Sequence, residues 1–332
     1  MGPRERDIID LAIRNLETET GLKIRIIAFG DQVDIKFQIG EHDLIFNAEV
    51  RLFLNKARLG IVLNNLRNVT GIPLLITEYI TPELMKVIEE NEINVIDTAG
   101  NAYIKVPPLF IKIKGNKLDE VRRFRTVRRP FYAAALQTIY ALLCNPNLEK
   151  EPIRKIAALA GIAHGTVQIT LKELEKQGYL PDYDNKGKLI NKEELLERWV
   201  VLYPDKLKPK FLTGIYYINE EQLRNLDVNF YDAQWGGEAA AEKMTNYLRP
   251  YIYTIYMGER QGEFVLRNRL KRDPQGNLVL MKKFWNFKDF SYPETTHPIL
   301  VYADLLATGD PRNIETAKLI YEKEIVRYIA EN

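Results

Sequence analysis

The chain has 332 residues, 46% of them hydrophobic, with 47 basic against 45 acidic side chains and a net charge of +2. That length and apolar content suffice for two or three cored domains, and no apolar run approaches the roughly 18 residues a membrane span needs. One cysteine and three dispersed histidines argue against internal disulfides and a zinc site, and Met1–Asp10 is too charged for a signal peptide, so the expected compartment is the cytoplasm. With so small a net charge, a nucleic-acid role must rest on where the positive charge lies rather than on its total.

Ile8, Leu11, Ala12 and Leu16 recur at helical spacing and predict a first helix over Asp7–Thr18. Lys23–Phe29, Val33–Ile39 and Leu44–Leu54 read as strands, the latter two joined as a hairpin through Gly40-Glu41-His42-Asp43. A turn centred on Gly40-Glu41 sets Asp34 within a residue or two of Glu49 across the hairpin, and Arg51 shares the face of Glu49 because side chains alternate along a strand. Next come a helix over Ala57–Val69, a strand over Ile72–Thr77 and a helix Pro82–Asn91 capped by Thr81. Two further strands, Ile93–Asp97 and Asn101–Val106, flank the turn Thr98-Ala99-Gly100. Strands alternating with helices predict an α/β domain over residues 1–118.

The order of these elements, with Asp34, then Glu49-Val50-Arg51, then the phrase from Asn94 to Ile104, resembles the restriction-endonuclease-like fold. In active members of that superfamily an Asp and a Glu-x-Lys triplet bind a divalent metal, and the lysine serves the attacking water. Asp34 and Glu49 match that pattern, but Arg51 occupies the lysine position, and an arginine stays protonated and cannot act as a base. The expected domain is therefore a degenerate one, kept for binding or assembly and needing no cofactor. The alternative is a Mg-dependent endonuclease in which Asp34 and Glu49 hold the metal and Arg51 steers phosphate.

Leu109–Pro130 reads as a connection, with a basic linker at 119–130. It carries Lys112, Lys114, Lys117, Arg122, Arg123, Arg125, Arg128 and Arg129 against Asp119 and Glu120. Such a density of cations would anchor phosphates without reading sequence, unless it serves only to keep a solvated linker extended.

Residues 131–191 carry the pattern of a winged helix-turn-helix. Phe131–Cys144 is helical by the spacing of Ala135, Leu136, Ile139, Leu142 and Leu143, and Asn145-Pro146-Asn147 stops it. A second helix with Ile153, Ile156, Ala157 and Leu159 inward ends at Gly161. The third, His164–Gln177, buries Val167, Leu171 and Leu174 and is expected to expose Thr166, Gln168, Thr170, Lys172 and Lys176. A hairpin follows, Tyr179–Tyr183 paired with Leu189–Ile190, with Lys186 and Lys188 on a basic tip. In this pattern His164, Thr166 and Gln168 reach base edges, and Gln168 is suited to adenine. Lys172 and Lys176 meet the sugar-phosphate backbone, and the tip lysines an adjacent groove. His164 could equally cap its own helix.

Residues 192–332 predict a second α/β domain, making the whole an α/β and α+β multidomain chain. Helices are expected at Lys192–Trp199, Asn219–Leu226, Trp235–Leu248, Pro298–Ala307 and Asn313–Ala330. Strands are expected at Phe211–Ile218, Tyr251–Met257, Phe264–Arg267 and Val279–Phe284. The phrase Trp235-Gly236-Gly237-Glu238-Ala239-Ala240-Ala241, and above all the run from Ala303-Asp304 to Gly309-Asp310-Pro311-Arg312-Asn313, resemble the antitoxin regulators of AbiEi type. That resemblance implies a regulator of type IV toxin–antitoxin systems. Its partners would be double-stranded DNA at its own operator and a nucleotidyltransferase-like toxin encoded nearby. Asp304, Asp310, Arg312 and Glu315 form a polar set within this phrase, for which a helix-breaking and capping role is the expected one.

Overall fold

The computed structural model describes residues 3–29, 35–40, 44–51, 54, 71–117, 131–181, 183, 187–288 and 291–329. The chain divides into two compact units, residues 1–129 and 130–332. No helix among the described residues is long and apolar enough to cross a membrane. The expected helix Ala57–Val69, Asp34 and the arginines of the linker lie outside the described residues.

The first unit is a seven-stranded sheet whose strands follow one another in chain order. They are β1 (Ile24–Ala28), β2 (Ile35–Ile39), β3 (Ile45–Arg51), β4 (Ile72–Thr77), β5 (Val95–Asp97), β6 (Ala102–Val106) and β7 (Leu109–Ile113). β3, β4 and β5 run parallel, and the outer pairs are antiparallel. Alternation along β4 sorts the core into two layers. Leu74 and Ile76 face α1 (Pro3–Thr20) with Phe37, Phe46 and Val50, whereas Leu75 faces α2 (Pro82–Glu90) with Val95 and Tyr103. The carboxylate of Asp97, at the end of β5, accepts bonds from the backbone N–H groups of Ile80, Ala99 and Asn101 and from the Asn101 amide. Burial nonetheless pushes its pKa up to about 6. In the β2–β3 hairpin Ile35 pairs with Ala48, a register displaced by two residues from a turn centred on Gly40-Glu41. Leu109–Ile113, expected within the linker, is instead the edge strand β7, because Ile111 alternates into the α1 core and the strand pairs with β6 along its length.

The second unit opens with three helices, α3 (Ala133–Cys144), α4 (Ile153–Ala160) and α5 (His164–Lys176). Gly161 ends α4 in the left-handed region, φ 69°, where a side chain would be strained. A longer helical rod follows, α6 (Lys192–Leu202), which passes through a π turn at Tyr203–Leu207 into α7 (Lys208–Phe211). The remainder is a five-stranded sheet in the order β11-β8-β12-β10-β9. Its strands are β8 (Leu212–Tyr217), β9 (Gln234–Gly236), β10 (Tyr253–Met257), β11 (Lys271–Arg272) and β12 (Leu278–Lys282), of which only β10 and β12 are parallel. The connections carry α8 (Glu220–Arg224), α9 (Gly237–Thr245) and α10 (Gln261–Arg267). α11 (Pro298–Leu306), α12 (Pro311–Ile320), a second π turn and α13 (Val326–Ile329) complete the unit.

Two expectations are corrected here. Phe264–Arg267 is helical, not a strand: Phe264 is buried while Leu266 is 79% exposed, so the two do not share the one face that a strand would give them. The Tyr179–Ile190 segment forms no strand pair among its described residues. One backbone bond, Ile190 N–H to Tyr179 C=O at 2.8 Å, joins its arms, and buried Tyr179, Leu180 and Leu189 anchor it. Pro181 removes a donor that a longer ladder would require.

Gly276 lies against the backbone of β8, where an added Cβ would come within 2.1 Å of the Tyr216 carbonyl oxygen. Gly276→Ala should therefore lower stability by about 3 kcal/mol, seen as an earlier midpoint in urea unfolding followed by tryptophan fluorescence. A second expectation concerns pH. The His297 imidazole, 3% exposed, caps α11 by accepting the Ile299 N–H through Nδ1, and burial, helped by the positive charge of Arg327, holds its pKa at about 3. A neutral histidine so depressed contributes stability that is fully present above about pH 6.5 and lost as pH falls toward 3. Some 2 kcal/mol should be gone by about pH 5. His297→Asn keeps a capping oxygen and does not titrate, so the unfolding free energy from urea titrations should fall between pH 7 and pH 5 by that much less in the variant.

Candidate nucleic-acid interface

The packing of α5 decides which of its side chains can reach a partner. Val167, Leu171 and Leu174 are fully buried against α3 and α4, at the spacing expected of an inward stripe. His164, Gln168, Lys172 and Lys176 are exposed and succeed one another at four-residue intervals, so they form one ridge along the outer face. Thr166 is half-buried. Thr170 is buried, contrary to expectation, because it sits between Val167 and Leu174 at the margin of the inward stripe, and its hydroxyl donates to the Thr166 carbonyl at 2.9 Å. Thr170 is therefore removed from the outer face. The residue before the helix, Ala163, offers no side-chain cap, and His164 makes none either.

The helix is held from behind by polar contacts that the sequence pattern did not single out. Buried Gln177, just after α5, accepts a bond from buried Arg198 of α6, whose guanidinium also lies 4.4 Å from the ring centre of Phe131. Tyr179 donates to Glu194 at 2.7 Å. Lys188 is exposed at the end of the following segment, and Lys186 lies outside the described residues.

In the first unit Glu49 and Arg51 share one face of β3, as alternation requires, and form an ion pair with each other. The proposed metal pair cannot be placed whole, since Asp34 lies outside the described residues. Among the described residues no three His, Cys, Asp or Glu side chains are grouped as metal ligands. Two cations of the basic stretch are engaged locally: Lys112 and Lys114 both approach Glu89 of α2, at 2.8 and 3.8 Å. Arg122, Arg123, Arg125, Arg128 and Arg129 lie outside the described residues.

The polar set of the C-terminal phrase does not converge on one place. Asp304 is 2% exposed and accepts bonds at 2.8 Å from the hydroxyls of Tyr203 and Tyr256, with Lys208 Nζ also at 2.8 Å. Burial and the Asp304 charge push both phenols well above their ordinary range, so they stay protonated donors. Gly236 makes room for this cluster, since a Cβ there would stand 2.5 Å from the Tyr256 ring. Asp310 caps α12 by accepting the Arg312 N–H, Arg312 covers the Tyr251 ring at 4.1 Å, and Glu315 raises the pKa of the exposed Tyr247 phenol. Asn313 donates to Glu238 at 2.8 Å, while the other carboxylate oxygen of Glu238 accepts the Tyr251 N–H at 2.6 Å. These contacts tie the Trp235–Ala241 phrase to the Gly309–Asn313 phrase and are structural.

A cleft of about 520 Å³ opens at the carboxyl ends of β10 and β12, lined among others by Gln234, Gly258, Lys282, Lys283 and Trp285. Two of its three lysines are occupied, Lys282 by Glu259 at 2.9 Å and Lys283 by the Asp232 carbonyl at 2.7 Å, and the third, Lys288, is exposed. The outer face of α5 is the better candidate surface.

Residues 188–326 match a family model described as transcriptional regulator, AbiEi antitoxin, type IV toxin–antitoxin system. No curated protein and no solved structure matches the chain. The matched segment runs from the end of the Tyr179–Ile190 segment into α13 and holds both phrases that Glu238 and Asn313 join, while α3, α4 and α5 precede it. Over residues 188–326 the chain is thus similar to the AbiEi-type antitoxins, described as transcriptional regulators of type IV toxin–antitoxin systems.

Proposed function

We propose that the chain is a DNA-binding transcriptional regulator and the antitoxin of a type IV toxin–antitoxin system, reading duplex DNA with α5. The observation that carries this is the outer ridge of α5, His164, Gln168, Lys172 and Lys176, standing in the same compact unit as the AbiEi-type segment. α3, α4 and α5 act as a helix-turn-helix, with the Tyr179–Ile190 segment as a reduced wing that sets Lys188 beside the duplex. α5 enters the major groove, Gln168 pairs with adenine, and Lys172 and Lys176 contact phosphates. The first unit is a restriction-endonuclease-like domain that does not cut. The pairing of Glu49 with Arg51 supports this reading, since a carboxylate held by a guanidinium is ill placed to take a metal. The DNA target is the chain's own operator, and the partner is a nucleotidyltransferase-like toxin.

Gel-shift titrations on the DNA upstream of its own gene, over a series of salt concentrations, test the reading. Gln168→Ala should weaken specific binding by about 1–3 kcal/mol and leave binding to unrelated duplex unchanged. Lys172→Ala should weaken binding to every sequence and reduce the salt slope by about one. Absence of binding at low salt, or full selectivity in the Gln168 variant, would sink the proposal.

A further inference from the structure

Two residues on the outer face of α5 are not explained by packing among the described residues. Ile169 is 72% exposed, a large apolar side chain turned away from the stripe of Val167, Leu171 and Leu174 that packs the helix. Gly165, one turn earlier on the same side, is also exposed. Its backbone is not in the left-handed region, and a Cβ added there would meet nothing within 4 Å. Alanine is the better helix former at such a position, so nothing among the described residues accounts for glycine. The helix therefore bears a bare stretch of backbone followed by an apolar projection, beside the ridge of His164, Gln168, Lys172 and Lys176.

The charge around this pair narrows what can cover it. The exposed residues of α5 include no carboxylate: Glu173 and Glu175 are half-buried, the former bonded to the Gln177 amide and the latter accepting the Tyr183 N–H at 3.1 Å. Lys172 and Lys176 continue the same face, and exposed Arg154 of α4 adds a further cation to the three helices. An apolar knob set among cations and amide groups suits a polyanion that presents small apolar features. Duplex DNA offers one such feature in its major groove, the 5-methyl group of thymine.

Building on the DNA-binding role proposed for α5, we propose that Ile169 is a specificity-determining residue that packs on a thymine 5-methyl group, and that Gly165 allows the duplex to approach the helix backbone. The site so read contains a thymine at the position facing Ile169, next to the base read by Gln168.

The experiment uses the full chain and a duplex that it selects from a random pool. Each thymine of that duplex is replaced in turn by deoxyuridine, which deletes the methyl group and leaves every hydrogen-bonding edge intact. The wild type should lose about fourfold in affinity at one position, the worth of one buried methyl group. Ile169→Ala should bind the thymine duplex more weakly by a similar factor and no longer distinguish it from the deoxyuridine one. Gly165→Ala should raise the melting temperature of the free protein and yet weaken binding, a combination that damage to the fold does not produce. Indifference of the wild type to every deoxyuridine, or a thymine preference that survives in Ile169→Ala, overturns the inference while leaving DNA binding by α5 in place. Failure to select any duplex overturns the DNA-binding role itself, and this inference with it.

Discussion

A single line of aromatic rings holds the second unit together. Tyr140 of α3 stacks on Trp199 of α6, with ring centres 5.3 Å apart, and Trp199 stacks in turn on Tyr203 at 5.0 Å. From Tyr203 the line continues as a hydrogen bond to Asp304 of α11, which also accepts from Tyr256 of β10, the two phenol oxygens lying 2.7 Å apart. On its other side Tyr140 meets Phe284, Trp285 and Phe287, the residues that follow β12. Aromatic pairs in these arrangements add to the stabilisation of their large buried areas. The three helices and the five-stranded sheet thus share one core rather than meeting at a polar boundary. Polar contacts reinforce the joint: the Gln137 amide donates to the Phe284 carbonyl at 3.0 Å, and Asn286 binds the backbone of Ala158 and Leu159.

This joint fixes α5 by way of its neighbours. α3 and α4 pack on the buried face of the helix, and Arg198, from the same rod that carries Trp199, holds the residue just past its end. The π turn at Tyr203–Leu207 keeps that rod helical up to the start of β8, so one continuous element touches the end of α5, the aromatic line and the sheet. A helix that must present a few side chains to a groove gains from such support, because the geometry of a recognition surface depends on what locks its rotamers and backbone from behind. Asp304 is the polar end of the same arrangement, a buried carboxylate satisfied by two phenols and one lysine.

Much of this was legible in the sequence. The inward stripe of α5, the stop at Gly161, the helices Pro82–Glu90 and Pro298–Leu306 and most of the strands follow from period and punctuation. What escaped was decided by tertiary packing. Phe264–Arg267 has strand-forming residues, yet only one of its side chains finds a core, and the segment coils into a helix. Thr170 looks polar and outward on a helical wheel, but its short side chain satisfies its own hydroxyl on the backbone of the previous turn and can be buried. Leu109–Ile113 was obscured by Lys112 within it and Lys114 just after it, both drawn to Glu89. Arg198 could not have been found from spacing, since a buried arginine depends on a glutamine 21 residues away in the chain.

The Gly309–Asn313 and Trp235–Ala241 phrases, the most recognisable words in the sequence, turn out to hold each other through Glu238 and Asn313. The boundary at which recognisable similarity begins, residue 188, is a different matter. It falls one residue before buried Leu189 and leaves Tyr140 on one side and its stacking partner Trp199 on the other. A fragment cut there would bare both faces of the aromatic line. Inheritance of this half of the chain as a portable piece therefore requires the three preceding helices, or another element with an equally large ring in the place of Tyr140.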